Sequence, residues 1–224
     1  GNNPVDLRLA DLDDDGNLDV VTANQSGDNL SVALGNGDGT FAAAVDFDAG
    51  NGALRVRVAD LDADGNLDLV ASNDFSDDLS VLLGDGTGAF AAAVDFDAND
   101  GPNGLALGDV DGDGDLDAVT VNDNNDTANI LLGDGDGAFA APTSFPITGA
   151  PKDVRLLDVN NDAHLDIAYA TDDFSDTGVN VLLGNGDGTF GDVLRFDAGP
   201  APLALAVGDV DGDGDDDLVL GAWW

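Results

Sequence analysis

Residues 54–96 read LRVRVADLDADGNLDLVASNDFSDDLSVLLGDGTGAFAAAVDF. Four apolar segments are legible in this stretch: LRVRVAD from Leu54, LDLVASN from Leu67, LSVLLG from Leu79 and AFAAAVDF from Ala89. In each, apolar residues recur at every second position, the period of a strand with one face covered. Between them lie loops rich in Gly, Asn, Asp and Ser, the residues that supply positive φ and local side-chain turns. The stretch therefore predicts four short antiparallel strands joined by tight connections.

The same unit is copied along the chain. Asp-rich runs begin at Asp11, Asp60, Asp109, Asp158 and Asp209, and a Gly-rich turn follows each of the first four, beginning at Leu34, Leu83, Leu132 and Leu183. The repeats span about 4–52, 53–101, 102–150 and 151–200, and a half repeat, 201–224, stops after two strands at DLVLGAWW. Residues 1–224 thus read as a single repeat-array domain. A four-stranded meander cannot bury both of its faces alone, so copies must stack. The expected fold is an all-β β-propeller of four-stranded antiparallel blades, four full repeats plus a two-stranded half repeat; a linear solenoid is the alternative. Eight of the ten Phe residues occupy two positions of the fourth segment. Phe41, Val45 and Phe47 are expected on one side of it, as are Phe90, Val94 and Phe96.

Composition narrows the function classes. The 46 acidic side chains are all Asp, against six basic ones, and the formal net charge is -40. Asp favours turns, caps and metal loops where Glu favours helices. Disorder would follow from such charge alone, yet 43% of residues are hydrophobic and the charges sit in clusters between apolar segments. The surplus of negative charge predicts no binding to nucleic acid and none to anionic membrane surfaces. No apolar run is long enough for membrane insertion as a helix. There is no Cys and no Met; the missing Met is what a processed or excised segment would show.

The Asp loops carry the clearest chemistry. In DLDADGNLD, residues 60–68, carboxylates stand at relative positions 1, 3, 5 and 9 with Gly at 6. That spacing wraps a short loop around a hard cation needing six to eight oxygens. Asp60, Asp62, Asp64 and Asp68 would supply carboxylates, Gly65 the turn and Asn66 a backbone carbonyl. Calcium suits such a flexible, oxygen-rich shell better than magnesium. An EF-hand shares the opening residues but needs Glu at position 12; here that position holds Thr22, Ala71, Thr120, Tyr169 and Leu220.

A loop of this kind between two strands, the period near 49 and the GNGDGTF turn resemble FG-GAP/VCBS repeats, the units of the integrin α-subunit propeller and of many bacterial surface proteins. The letters FG survive only at Phe190-Gly191 and GA only at Gly221-Ala222, so the VCBS version fits better. The resemblance implies about five Ca2+ ions, one per loop. The first would be held by Asp11, Asp13, Asp15, Asp19 and the carbonyl of Asn17. The third would use Asp109, Asp111, Asp113, Asp117 and the carbonyl of Asp115, and the fifth Asp209, Asp211, Asp213, Asp217 and the carbonyl of Asp215. The fourth departs from the pattern. Asn160 replaces a carboxylate and Ala163 the turn Gly, leaving Asp158, Asp162 and Asp166 with the carbonyl of His164, so it should be the weakest site.

No catalytic set stands out. The chain has one His, no Cys and no Glu, so it is expected not to be an enzyme. Phe75 and Phe174 lie in polar loops between second and third strands, where local packing or a grip on a partner are both open. Arg8, Arg55, Arg57, Lys152 and Arg155 lie in or beside first strands, where neutralisation of nearby Asp is expected. Taken together, the sequence predicts an extracellular or cell-surface, calcium-stabilised propeller that recognises protein or glycan. The alternative is a self-assembling structural protein whose incomplete last blade is completed by strands of a neighbouring copy. Trp223 and Trp224 could cap that blade.

Overall fold

A computed structural model describes residues 1–171, 178–197, 202–212, 214 and 216–222. Phe174, Asp213, Asp215, Trp223 and Trp224 lie outside the described residues.

The chain is all-β. The first sheet contains β1 (Pro4–Ala10), β2 (Asp19–Asn24), β3 (Asn29–Ala33) and β4 (Val45–Asp48). The second contains β5 (Ala53–Ala59), β6 (Asp68–Asn73), β7 (Asp78–Leu82) and β8 (Val94–Asp97). The third contains β9 (Pro102–Gly108), β10 (Asp117–Asn122), β11 (Thr127–Leu131) and β12 (Thr143–Pro146). The fourth contains β13 (Pro151–Leu157), β14 (Asp166–Thr171), β15 (Gly178–Gly184) and β16 (Phe190–Asp197). Among the described residues the last sheet has β17 (Pro202–Gly208) and β18 (Asp217–Ala222). Strands follow chain order in every sheet, so each repeat is one meander blade of the propeller type. Among the described residues no helix is long and apolar enough to cross a membrane.

The fourth strand differs from its expected extent. In the first two sheets it covers only Val45–Asp48 and Val94–Asp97. Ahead of it, Phe41 and Phe90 make single bridges to Gly35 and Gly84. The alanine stretch between bridge and strand leaves the ladder, which allows the chain to change face. Phe90 consequently packs back onto Phe47 of the preceding blade, whereas Phe96 packs forward onto Phe139. The two Phe positions therefore serve opposite faces of a blade, not one side as the even spacing predicts.

Two compact units are distinguished, Gly1–Pro102 with Gly133–Ala141, and Asn103–Leu132 with Pro142–Trp224. In the first, Val21, Ala23, Leu30 and Val32 of one blade meet Val56, Leu69, Ala71 and Leu82 of the next. In the second, Val119, Val121, Ala128 and Ile130 meet Val154, Ile167, Tyr169 and Leu182, and a smaller cluster joins Val179 and Val181 to Leu205. Each fully buried Leu or Ile in these seams is worth about 1.5–3 kcal/mol of transfer free energy.

Charged pairs tie first strands together. Asp6 on β1 accepts from Arg8 at 2.8 Å, and its other oxygen accepts from Arg57 on β5 and from the Val56 N–H, both at 3.1 Å. Asp153 on β13 accepts from Arg155 and from the Leu205 N–H. Lys152 pairs with Asp123. The basic residues named from the sequence at Arg8, Arg57, Lys152 and Arg155 are thus engaged by Asp side chains.

Candidate metal loops

Each Asp loop joins the first strand of a blade to the second, and its shape comes from backbone positions that favour positive φ. The fourth residue is left-handed in every loop: Asp14, Ala63, Gly112, Asn161 and Gly212. So is the sixth, which is Gly16, Gly65, Gly114 and Gly214, and Ala163 at φ 70 in the fourth loop. That double reversal folds the loop back on itself. In the second loop the Gly65 N–H then donates to Asp60 at 3.0 Å, and the Asn66 N–H and side-chain amide donate to Asp64 at 2.8 and 2.9 Å.

Folding this way gathers carboxylates. Oxygens of Asp60, Asp62 and Asp68 lie within 4.8 Å of one another, as do those of Asp109, Asp111 and Asp117, and of Asp209, Asp211 and Asp217. In the first loop the gathered set is Asp11, Asp13 and Asp15. Two like charges this close repel by roughly 1 kcal/mol in water and about 4 kcal/mol at the effective dielectric of a protein surface. Asp13 shows the consequence. Loss of solvent first, then the charges of Asp15, Asp19 and Asp11, push its carboxyl above the usual range. Asp13 Oδ1 and Asp60 Oδ1 are also buried without a hydrogen-bond partner. A buried, unpartnered carboxylate oxygen inside a ring of carboxylates is a position that a hard cation fits.

The fourth loop gathers no such triad. The Asn160 amide donates to Asp162 at 2.9 Å, and Asp158 accepts from the N–H groups of Asp162 and Ala163 at 3.1 and 2.7 Å. Desolvation raises the Asp158 carboxyl, but those N–H donors outweigh it and the net direction is down. His164 leans its ring over Gly186, where Asn17 and Asn66 lean over Gly37 and Gly86 in their own blades. Asp64 and Asp113 lie outside the triads of their loops, each accepting from the residue-seven N–H at 2.8 and 2.9 Å.

The ninth residue of the loop has a second task that spacing alone does not reveal. Asp68 is fully buried; one oxygen accepts from the Leu61 N–H and the other from the Gly84 N–H, both at 2.8 Å. Asp19 does the same for Leu12 and Gly35, and Asp166 for Val159 and Gly184. One carboxylate thus fastens the metal loop to the end of the third strand. Gly is required at that end because a Cβ at Gly84 would collide with the Leu67 carbonyl. Burial raises the Asp68 and Asp166 carboxyls despite these donors.

A further set escaped the sequence reading. Asp28, Asp77 and Asp126, all at positive φ, accept from the N–H of Gly52, Gly101 and Ala150 at 2.8, 3.0 and 3.0 Å. Each clips the loop between second and third strands to the residue just before the next blade's first strand. The signal was present as Asp recurring every 49 residues, but it was hidden among 43 others.

The FG-GAP-like repeat profile matches residues 11–71, 60–120, 109–169 and 158–220. The chain therefore belongs to the FG-GAP-like repeat family. Among solved structures it resembles an Agrocybe aegerita lectin described as recognising non-reducing terminal N-acetylglucosamine, at 24% identity and TM-score 0.67, over 95% of this chain and 59% of the lectin. It also resembles BBS1N, solved in complex with ARL6DN, at 14% identity and TM-score 0.62, over 96% of this chain and 58% of that one. Streptogramin B lyase is similar at 15% identity and TM-score 0.61, over 91% of this chain and 58% of the lyase. The chain thus spans under two thirds of each of these proteins, and at these identities the likeness is one of fold. No curated protein matches the chain in sequence.

Proposed function

We propose that the chain is an extracellular or cell-surface recognition module, stabilised by calcium in its Asp loops, that binds protein or glycan and performs no chemistry of its own. The observation that carries this reading is the repeated carboxylate triad with a buried, unpartnered oxygen at Asp13 and Asp60. Asp60, Asp62 and Asp68 would hold the ion in the second loop, their counterparts would do so in the third and fifth, and Asp11, Asp13 and Asp15 in the first. The bound ion supplies positive charge that offsets the repulsion and locks the first-to-second strand connection. Loops of this charge count suit the millimolar calcium found outside cells. Family membership supports the metal, and the lectin's fold supports a recognition surface. The lyase shows that similar folds also occur in enzymes, so the non-catalytic reading rests on composition: one His, no Cys, no Glu.

The test is a thermal melt with excess calcium and with chelator, followed by a glycan array on the calcium-loaded protein. A calcium-dependent rise in Tm supports the metal role, and array hits that vanish with chelator support glycan recognition. An unchanged melt overturns the metal role.

A further inference from the structure

We infer that the groove between β4 and the segment that follows Phe90 is a docking site for a basic side chain, lysine or arginine, carried by a partner protein. The site serves the protein-binding arm of the recognition role proposed above and rests on that reading.

The groove has a volume of about 240 Å³ and is lined by Phe47, Leu82, Phe90 and Ala92, with Asp46 and Asp48 beside them. It lies within one compact unit, between two four-stranded sheets. Its walls are held in place. Phe47 is paired with Leu30 in the ladder of β3 and β4, Phe90 bridges Gly84, and the Ala91 N–H donates to the Leu83 carbonyl at 2.8 Å. Leu82 is buried in the seam. Drug-sized ligands occupy about 300–1,000 Å³, so this space suits one long side chain.

Charge and hydrogen bonding select which side chain. Asp46 and Asp48 are exposed and stand two residues apart on β4, about 6.5–7 Å along the strand. One Asp46 oxygen accepts from the Ser31 hydroxyl; the other, and both oxygens of Asp48, accept from no group among the described residues. Every side chain lining the groove is thus apolar or an acceptor. Lysine and arginine are the converse, donors only on an apolar stem. The stem lies along the phenyl rings and Ala92 while the cation meets the carboxylates, and a ring face adds cation–π attraction. A net charge of -40 draws cations to the surface and repels anionic ligands.

The combination of ring and carboxylates is confined to the first two repeats. Asp95 and Asp97 flank Phe96, and Asp95 accepts from Ser80 at 2.7 Å as Asp46 does from Ser31. In the third repeat Ser144 and Pro146 flank Phe145, and in the fourth Arg195 and Asp197 flank Phe196. The Phe145–Phe190 pair therefore keeps its rings at 5.5 Å without two carboxylates. Acidic side chains on an edge strand also deter pairing with other strands, but that role needs no groove beside them. A second copy is a poor source of the cation. Five of its six basic residues lie in or beside first strands, and the sixth, Arg195, donates to Thr148 at 2.8 Å.

The experiment titrates the 224-residue chain, in excess calcium, with a serine–threonine decapeptide carrying two arginines. Ring-proton NMR signals of Phe47 and Phe90 are followed at an ionic strength of about 0.15 M, which screens nonspecific attraction. Asp97 and Ala141 stand in the second repeat where Asp48 and Ala92 stand in the first, so both repeats are altered together. The expected result is a saturable shift of both rings that is missing when citrulline replaces arginine. Asp48→Asn with Asp97→Asn should weaken it about tenfold, and Ala92→Phe with Ala141→Phe, which fills the space and leaves the charge, should abolish it. Asp136→Asn with Asp192→Asn, the same change of net charge elsewhere, should leave it intact. An unchanged calcium-dependent melt verifies the fold of each variant. Absence of a shift overturns the site, as does a shift that citrulline reproduces or that the two control substitutions weaken equally. Where the melt and the glycan-array hits keep their calcium dependence, such a failure removes this site alone and leaves the recognition reading. Array hits abolished by Ala92→Phe would assign the groove to a sugar, and mass that rises with protein concentration and falls back with Asp48→Asn would assign it to a second copy; either overturns the proposal.

Discussion

The ring of Phe90 stands edge-on to that of Phe47, with centroids 5.3 Å apart and planes at 83°. The same contact recurs between Phe96 and Phe139 at 5.7 Å and between Phe145 and Phe190 at 5.5 Å. Each pair joins a Phe in one repeat's fourth strand to a Phe at or just ahead of the next repeat's, so the sequence period becomes a repeated aromatic seam. Phe41, at the first position of such a pair, is 48% exposed and pairs with no other ring among the described residues.

Edge-to-face ring pairs are worth about 0.5–1.5 kcal/mol beyond their buried area. A double-mutant cycle with Phe47→Leu and Phe90→Leu should return a coupling of about 1 kcal/mol in denaturant unfolding. Phe41→Leu should cost under about 0.5 kcal/mol. Equal losses at Phe41 and Phe90 would remove the seam as an explanation.

Ala163 holds φ 70, which Gly adopts without penalty. Ala163→Gly should stabilise the calcium-free protein by about 1 kcal/mol, read as a higher denaturant midpoint. Ala63, at φ 56, should gain similarly from Ala63→Gly.

The fourth loop lacks a carboxylate triad because Asn160 stands where the other loops have Asp. Asn160→Asp should add one calcium per chain in equilibrium dialysis, or tighten the weakest site about tenfold. Asp62→Asn should remove or weaken one site. Dialysis counts that ignore both substitutions would contradict the assignment of the third loop position.

Protonation should act with opposite signs at two kinds of Asp. Hydrogen bonds from Thr87 hold the Asp85 carboxyl below its ordinary value of 3.8. Its stabilisation is present above that value and is lost as pH falls through the lowered folded value. Thr87→Val should therefore lower Tm at pH 7, with the deficit shrinking as the pH drops below 3.8. Asp68 is raised, chiefly by burial, so its ionised form costs stability in calcium-free protein at neutral pH. That cost is relieved as pH falls through the raised folded value, and fully below the unfolded one. Melts of chelated protein across this window should show Asp68's full cost above its folded value and none below the unfolded one.

The sequence by itself determined the repeat, its period, the four-strand meander and the loop that gathers carboxylates. Those features rest on neighbours in the chain: alternation at period two, residues that tolerate positive φ, and Asp side chains that bond N–H groups a few positions on. Tertiary structure alone decided three other matters. The short break after Phe90 sends the two Phe positions to opposite faces, which counting residues cannot foresee because parity holds only while the ladder is continuous. Asp68 is committed to Leu61 and Gly84 as well as to its triad, because strand pairing brings Gly84 to a carboxylate 16 residues away. Phe196 is 55% exposed where Phe47 and Phe145 pack into their seams, because what a face buries depends on the blade stacked upon it.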